Sequence, residues 1–477
     1  MALDPLPAAP TAEVGVEPGD PGDGVWAPGR RRLTTALVLT ITLVAFESLA
    51  IATVMPVVAD DLGGLGLYGW VFSGFFLGSL LGIVLAGRAA DRRGTRFPFA
   101  AGLVLFAAGL VIGGAAQSMP MLVAGRVAQG MGAGVIPAVA YTSVGRAYPA
   151  ATRPRVFAVF SSAWVIPGVV GPAAASAIAG WSSWRVVFLA LLPLVALAAA
   201  LALPALSDRA PAPDAADRDA ADGAAAGDDR PRDALVLVTG AALVLGGLGA
   251  HQLALAATLV VAGGVLAAWA FLRLVPEGTV SLHRGLPAAI GTRGILTFAF
   301  FGTDAFISLA VTEAHHQPTW VAGLALTGAT LSWTTGAWVQ QRLVVRHGPR
   351  WIVRRGFAVL AVGIGLTALA LGPVPVGLLV AAWAVGGLGM GLSYAPISAT
   401  VLGEAAPGQE GTASSSLQLT DVLGVSLGTG LAGVFVAVGE TRAWSTATSL
   451  ALAFAVTGLV AVAGVAAAGR LPRRLPG

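Results

Sequence analysis

Residues 87 to 96 read Gly87-Arg88-Ala89-Ala90-Asp91-Arg92-Arg93-Gly94-Thr95-Arg96, wedged between two apolar stretches at 68–87 and 97–116. A reversal this short needs a residue that tolerates left-handed backbone, and Gly94 supplies it. Each flank has the roughly 20 apolar residues needed to cross a bilayer. Arginines concentrated in the turn hold it on one side of the membrane. Asp91 is placed to neutralise them or to face a helix end.

Working outward, apolar stretches recur at 33–58, 119–144, 156–179 and 185–206, making six before the first long break. Residues 207–233 form that break: eight aspartates, four arginines and three prolines without apolar periodicity, the composition of a solvated, disordered linker. Two further stretches follow at 234–249 and 252–274, then six more between 289 and 468. The expected domains are therefore a disordered tail (1–29), a six-helix bundle (30–206), the linker (207–233), two additional helices (234–274), a second six-helix bundle (285–468) and a short tail (469–477). Arginine tests this division, because it should alternate between faces if every crossing is counted. It gathers at 30–32, 88–96, 146–155, 209–232, 273–293, 342–355 and 470–474, all on one face if there are fourteen crossings. Only Arg185 and Arg442 fall on the other face, and Arg126 lies inside a helix. Deleting one central helix would invert every later loop, so both cross, giving fourteen, or neither does, giving twelve. The expected fold class is thus an all-α polytopic membrane protein with both termini in the cytoplasm.

Composition agrees, with 56% hydrophobic and 11% charged residues among 477. The net charge of +4 is dispersed over loops and forms no nucleic-acid patch. Every basic residue is arginine, so a P-loop lysine and a lysine nucleophile are both excluded. With no cysteine there is neither a disulfide nor a thiolate metal site. No spacing of His, Asp and Glu supplies a metal set, and no cofactor motif appears. Glu313, His315 and His316 read as an exposed loop.

The two six-helix blocks repeat one another. LTITLVAFESLAIA (39–52) aligns with LTFAFFGTDAFISLA (296–310) and pairs Glu47 with Asp304; GMGAGVIPA (130–138) echoes GLGMGLSYAPIS (387–398). The 87–96 loop, built on Gly87, Arg88, Asp91, Arg92, Gly94 and Arg96, resembles the loop signature of the major facilitator superfamily. A degenerate copy, Arg346-His347-Gly348-Pro349-Arg350, lacks the acid. Arg126-Val127-Ala128-Gln129-Gly130 resembles the fourth-helix pattern of drug:proton antiporters, and Pro167-Gly168 with Gly171-Pro172 resembles their fifth-helix signature, although Ala174 and Ala175 depart from it. The nearest resemblance is to the fourteen-helix drug:proton antiporter family, over about residues 30 to 470. It implies a major facilitator fold of two six-helix bundles with two extra central helices, a conformational latch at Asp91, and no enzymatic activity.

A charge inside a membrane span is costly unless paired, and marks function by default. Glu47 and Arg126 fall at matching depth and are the first candidates for proton coupling; Asp304 and Asp421 follow. Proton coupling asks for a carboxyl that exchanges its proton near working pH. Gln129, Trp164, Trp333 and Trp338 are candidates to line the substrate cavity, and Trp383 also lies deep. Trp70, Trp181, Trp184, Trp320, Trp351 and Trp444 fit an interfacial aromatic belt. The function expected is proton-driven export of small lipophilic or cationic compounds, a multidrug efflux activity in the cell inner membrane. Its partners would be the substrate, protons and the lipid bilayer. The alternatives are movement of a specific metabolite or lipid and, from another class, a channel or embedded enzyme.

Overall fold

In lipid no water satisfies a bare peptide group, so an apolar chain of this length must fold as helices that bond their own backbone. The computed structural model describes residues 24–28, 30–148, 152, 156, 159–160, 163, 165–206, 229–250, 252–406 and 409–474. Among the described residues fourteen helices follow in order: α1 (Arg31–Leu62), α2 (Tyr68–Arg93), α3 (Arg96–Gly114), α4 (Met119–Ala147), α5 (Val165–Trp181), α6 (Trp184–Ala205), α7 (Arg230–Leu248), α8 (Leu253–Leu274), α9 (Leu286–Ala314), α10 (Thr319–His347), α11 (Pro349–Leu369), α12 (Val376–Glu404), α13 (Glu410–Thr441) and α14 (Thr446–Ala467). No strand occurs among the described residues. Twelve of the helices are long and apolar enough to cross a membrane. The other two are α5, described only from Val165, and α10, which is long but carries Thr327, Thr330, Ser332, Thr334, Thr335 and Gln340.

The two arginine-rich reversals are built alike. Gly94 ends α2 with φ 74° and Gly348 ends α10 with φ 79°, and each is followed at once by the next helix. Ser183 and Ser445 cap α6 and α14, each side chain accepting from a first-turn N–H at 3.2 Å.

Small residues set the packing within each block. A Cβ on Gly130 would lie 1.9 Å from the Phe75 carbonyl of α2, and one on Gly134 would lie 2.0 Å from that of Ser79. Between them, Gly132 faces α3, its Cβ position 2.3 Å from the Gly102 carbonyl. The second block repeats this device. Gly387 and Gly391 of α12 press on the Ala329 and Trp333 carbonyls of α10 at 2.2 and 2.1 Å, while Gly389 presses on α11. Glycine-spaced faces of this kind let membrane helices approach backbone to backbone.

The halves meet along two seams. Along α2 and α13, the Gly66 N–H donates to Glu440 Oε2 at 2.6 Å and Ser73 Oγ donates to the Ser426 carbonyl at 3.1 Å. Gly69 and Gly433 approach so closely that a Cβ on either would sit 2.5 Å from the other's Cα. Along α5 and α10, Gly168 faces Thr330, and Gly323 faces Pro172 at an ordinary 3.4 Å. Gly66 and Glu440 mark the arginine-poor face, so the α2/α13 seam is shut there. The helix α7 covers this seam, packing Ala234, Leu237 and Ala241 with Leu77 and Leu80 of α2 and Leu419 and Leu423 of α13. Its partner α8 lies outermost, tied back by Arg273, whose Nε donates to Asp233 at 2.9 Å.

Two boundaries and one side-chain environment differ from the sequence expectation. Residues 230–233, expected in the linker, form the first turn of α7, because Asp233 is buried against Arg273. Val25 and Ala27, expected in the disordered tail, are buried, and the Val25 carbonyl accepts from Thr34 Oγ1 at 2.8 Å. Trp184, expected in an interfacial belt, is also buried; its indole N–H donates to Asp61, which pairs with Arg185 at 2.8 Å. The rest of the expected tail (1–23) and of the linker (207–228) lies outside the described residues.

Candidate functional site

An isolated guanidinium does not stay buried in an apolar bundle, so Arg126 must be compensated. It lies on α4, 2% exposed, and its Nη1 donates to Glu47 Oε1 of α1 and, at 2.7 Å, to Gln129 Oε1 one turn along. Its Nε donates to the Val71 carbonyl at 3.1 Å, and the ring of Phe75 lies 4.2 Å from the guanidinium carbon. Glu47 and Gln129 are both fully buried, yet Glu47 Oε2 and Gln129 Nε2 have no hydrogen-bond partner. The first-choice acid, the helix-buried arginine and the candidate glutamine thus form one cluster between α1, α2 and α4. One of its carboxylate oxygens is unoccupied by any donor.

The duplicated block places Asp304 where the first has Glu47, and its neighbour is also the equivalent residue. The spacings 304 − 47 and 383 − 126 both give 257, and Trp383 Nε1 donates to Asp304 Oδ1 at 2.8 Å. Repeat symmetry therefore extends to the contact itself, with an indole in place of the guanidinium. Asp304 forms no ion pair among the described residues. The α9 helix is interrupted beside it, resuming at Ile307 and closing in a π turn over Ala310–Ala314. Aromatic rings surround this acid's partner. Phe300 stacks on Trp383 at 5.0 Å and meets Trp333 edge-on at 5.4 Å, and Trp333 lies 5.5 Å from Tyr394.

Asp421 belongs to a second charge pair. Arg293 Nε donates to Asp421 Oδ1 at 2.8 Å, Nη1 to the Tyr394 carbonyl at 2.7 Å and Nη2 to Ser398 Oγ at 3.2 Å; the Tyr394 hydroxyl donates to Asp421 Oδ2 at 3.2 Å. The Tyr394 ring also lies 3.2 Å from the guanidinium carbon. Arg293, expected among the cytoplasmic arginines at the start of the 289–312 helix, is 3% exposed in the second turn of α9, where α12 and α13 supply an acid and two oxygens. Its sequence signal was the one that singled out Arg126, an arginine within an apolar stretch.

The other candidates fall as follows. Gly168 lies at the α5/α10 seam, while Gly171 and Pro172 pack toward α1 and Gly323. Gly94 makes the α2–α3 reversal, and Arg92 and Arg96 are exposed beside it. The surroundings of Gly87 and the side chains of Arg88 and Asp91 lie outside what the structure describes, and so does Trp164. Trp333 joins the aromatic group, whereas Trp338, on the same helix, is 68% exposed.

Comparison with known proteins bears on this architecture. The sequence profile of the Major Facilitator Superfamily matches residues 37–286, more than half of the chain. A probable multidrug-efflux transporter of Mycobacterium tuberculosis is 27% identical over 94% of this chain and 96% of its own length. Among solved structures, the POT family transporter PepTSo superposes with a TM-score of 0.66 at 16% identity, covering 92% of this chain and 97% of that one. A D-xylose-proton symporter gives 0.64 at 15%, over 93% and 98%. The chain belongs to the major facilitator superfamily. It is a multi-pass membrane transporter with that superfamily's fold, and not an enzyme.

Proposed function

We propose that this transporter exports small lipophilic or cationic compounds in exchange for protons, by alternating access between its arginine-rich and arginine-poor faces. The observation that carries the reading is the buried Glu47–Arg126–Gln129 cluster, with its one carboxylate oxygen free of donors. Protonation of Glu47 removes the one full counter-charge that Arg126 has among the described residues. Leaving one partner of a buried pair uncompensated costs about 3–5 kcal/mol. One charge moving through the membrane potential releases about 2.3 kcal/mol per 100 mV, a comparable amount. Proton entry thus destabilises this packing of α1 against α4 and favours a second arrangement. The positive-inside rule supports a cytoplasmic position for the arginine-rich face and, with fourteen crossings, for both termini; on this reading the protein resides in the inner (plasma) membrane.

The second block supplies the preference for cations. Asp304 keeps the acid of the repeat without its arginine, beside Phe300, Trp333 and Trp383. A carboxylate without a resident cation, next to aromatic faces, suits an organic cation, and a desolvated cation–π contact contributes about 2 kcal/mol. The name of the mycobacterial relative, a probable multidrug-efflux transporter, supports efflux as the direction of transport. Transport of a panel of lipophilic cations and neutral compounds by Asp304→Asn tests it. Cation flux should fall at least about tenfold, the loss of about 1.4 kcal/mol of preferential stabilisation, with neutral flux little changed. An equal loss for both groups would contradict the assignment.

A further inference from the structure

Away from both buried clusters, the arginine-rich face carries a cavity of about 490 Å³ where α10 ends, α11 begins and the C-terminal segment returns across them. His347, Arg350, Trp351, Arg354, Arg355, Ala358, Val465 and Arg473 line it, and no acid is among them. The positive-inside tendency accounts for arginines on this face but not for their convergence on one cavity from two distant stretches of chain. That convergence is built. Gly348 holds φ 79°, and a Cβ there would fall 1.7 Å from the Arg473 carbonyl, so only glycine lets the C-terminal segment cross the start of α11. The aromatic floor is ordered too: the His347 ring stacks on Trp351 at 4.4 Å, and the Arg355 guanidinium carbon lies 4.9 Å from the Trp351 ring. None of the four cavity arginines forms an ion pair among the described residues. Four unpaired guanidiniums, with the positive end of α11 at Pro349–Arg350, present a concentrated anion field. Ala358 and Val465 add an apolar patch to the lining.

We propose that this cavity binds a phosphate-bearing anion: the headgroup of an anionic phospholipid, or a soluble phosphate ester of the same chemistry. Guanidinium forks match phosphate oxygens in pairs, which a lysine cluster would not do. The test uses the full chain purified in detergent, with bound lipid counted by native mass spectrometry and thermal stability followed as ligand is added. The probes are phosphatidylglycerol, phosphatidylcholine and glycerol 3-phosphate. Phosphatidylglycerol should be retained and raise the melting temperature where phosphatidylcholine does not. The Arg354→Gln/Arg355→Gln/Arg473→Gln variant should bind it about 100-fold more weakly, at about fivefold for each arginine near a membrane surface. Arg342→Gln/Arg346→Gln removes two charges from the same helix end but outside the cavity lining, where solvent screens them from the ligand, and should change binding less than about twofold. Should the triple variant not fold, Arg354→Gln alone should still lose about fivefold. Competition by millimolar glycerol 3-phosphate would identify a soluble ester as sufficient, and its failure beside retained phosphatidylglycerol would identify the lipid. Equal losses in the cavity and control variants, or no preference for either phosphate ligand over phosphatidylcholine, would overturn the proposal.

Discussion

Glu47 and Asp304 occupy one place in a duplicated unit yet meet different partners, Arg126 and Trp383. The difference dictates how each tolerates change. Arg126→Met leaves Glu47 as a buried, uncompensated carboxylate and should lower stability by about 3–5 kcal/mol. Glu47→Leu/Arg126→Met removes both charges and should recover most of that stability, because an apolar pair of similar volume often replaces a buried ion pair without loss. Thermal melts in detergent check both, and a double variant no more stable than Arg126→Met would show that the pair is not the origin of the cost. These two residues were legible in the sequence because a charge within an apolar run stands out and depth along a helix can be counted. Partners on other helices were not. Arg293 finds Asp421, Tyr394 and Ser398 more than 100 residues away, and nothing local announces them. Trp333 and Trp338 illustrate the same limit. Five residues apart, they point to different sides of α10, one into an aromatic group and one outward. The mixed polarity of α10 gave no periodicity to tell those sides apart.

Among elements, the glycine faces of α4 and α12 make the plainest demand. Gly130→Val and Gly391→Val each drive a side chain into a carbonyl that lies about 2 Å from the Cβ position, so neither helix can keep its contact. Overpacking of this kind costs about 1–3 kcal/mol and sometimes more. Both variants should melt several degrees lower, while Gly264→Ala on α8, with nothing within 4 Å of its Cβ position, should melt within a degree or so of the native protein. Equal melting of all three would contradict the close packing. The fourteen helices and the repeated glycine motif were readable beforehand, since length, apolarity and self-similarity are properties of the chain itself. The placement of α7 over the α2/α13 seam was not, because it depends on which apolar face meets which.

At the scale of the whole molecule, alternating access requires the closed arginine-poor end to open during transport. A Cβ on Gly66 would lie 3.5 Å from Cβ of Ala437, within disulfide range, and the native chain has no cysteine to interfere. Gly66→Cys/Ala437→Cys should therefore cross-link on mild oxidation and stop transport, with a reductant restoring it. Transport that continues through the cross-linked form would mean that this seam need not part. Coupling of protons to export through Glu47 is tested most directly by substrate-induced proton movement in proteoliposomes. The native protein should move protons only when a lipophilic substrate is present, and Glu47→Gln should lose that movement together with uphill export. Unchanged transport by Glu47→Gln, without substrate-induced proton flux in either protein, would contradict the account.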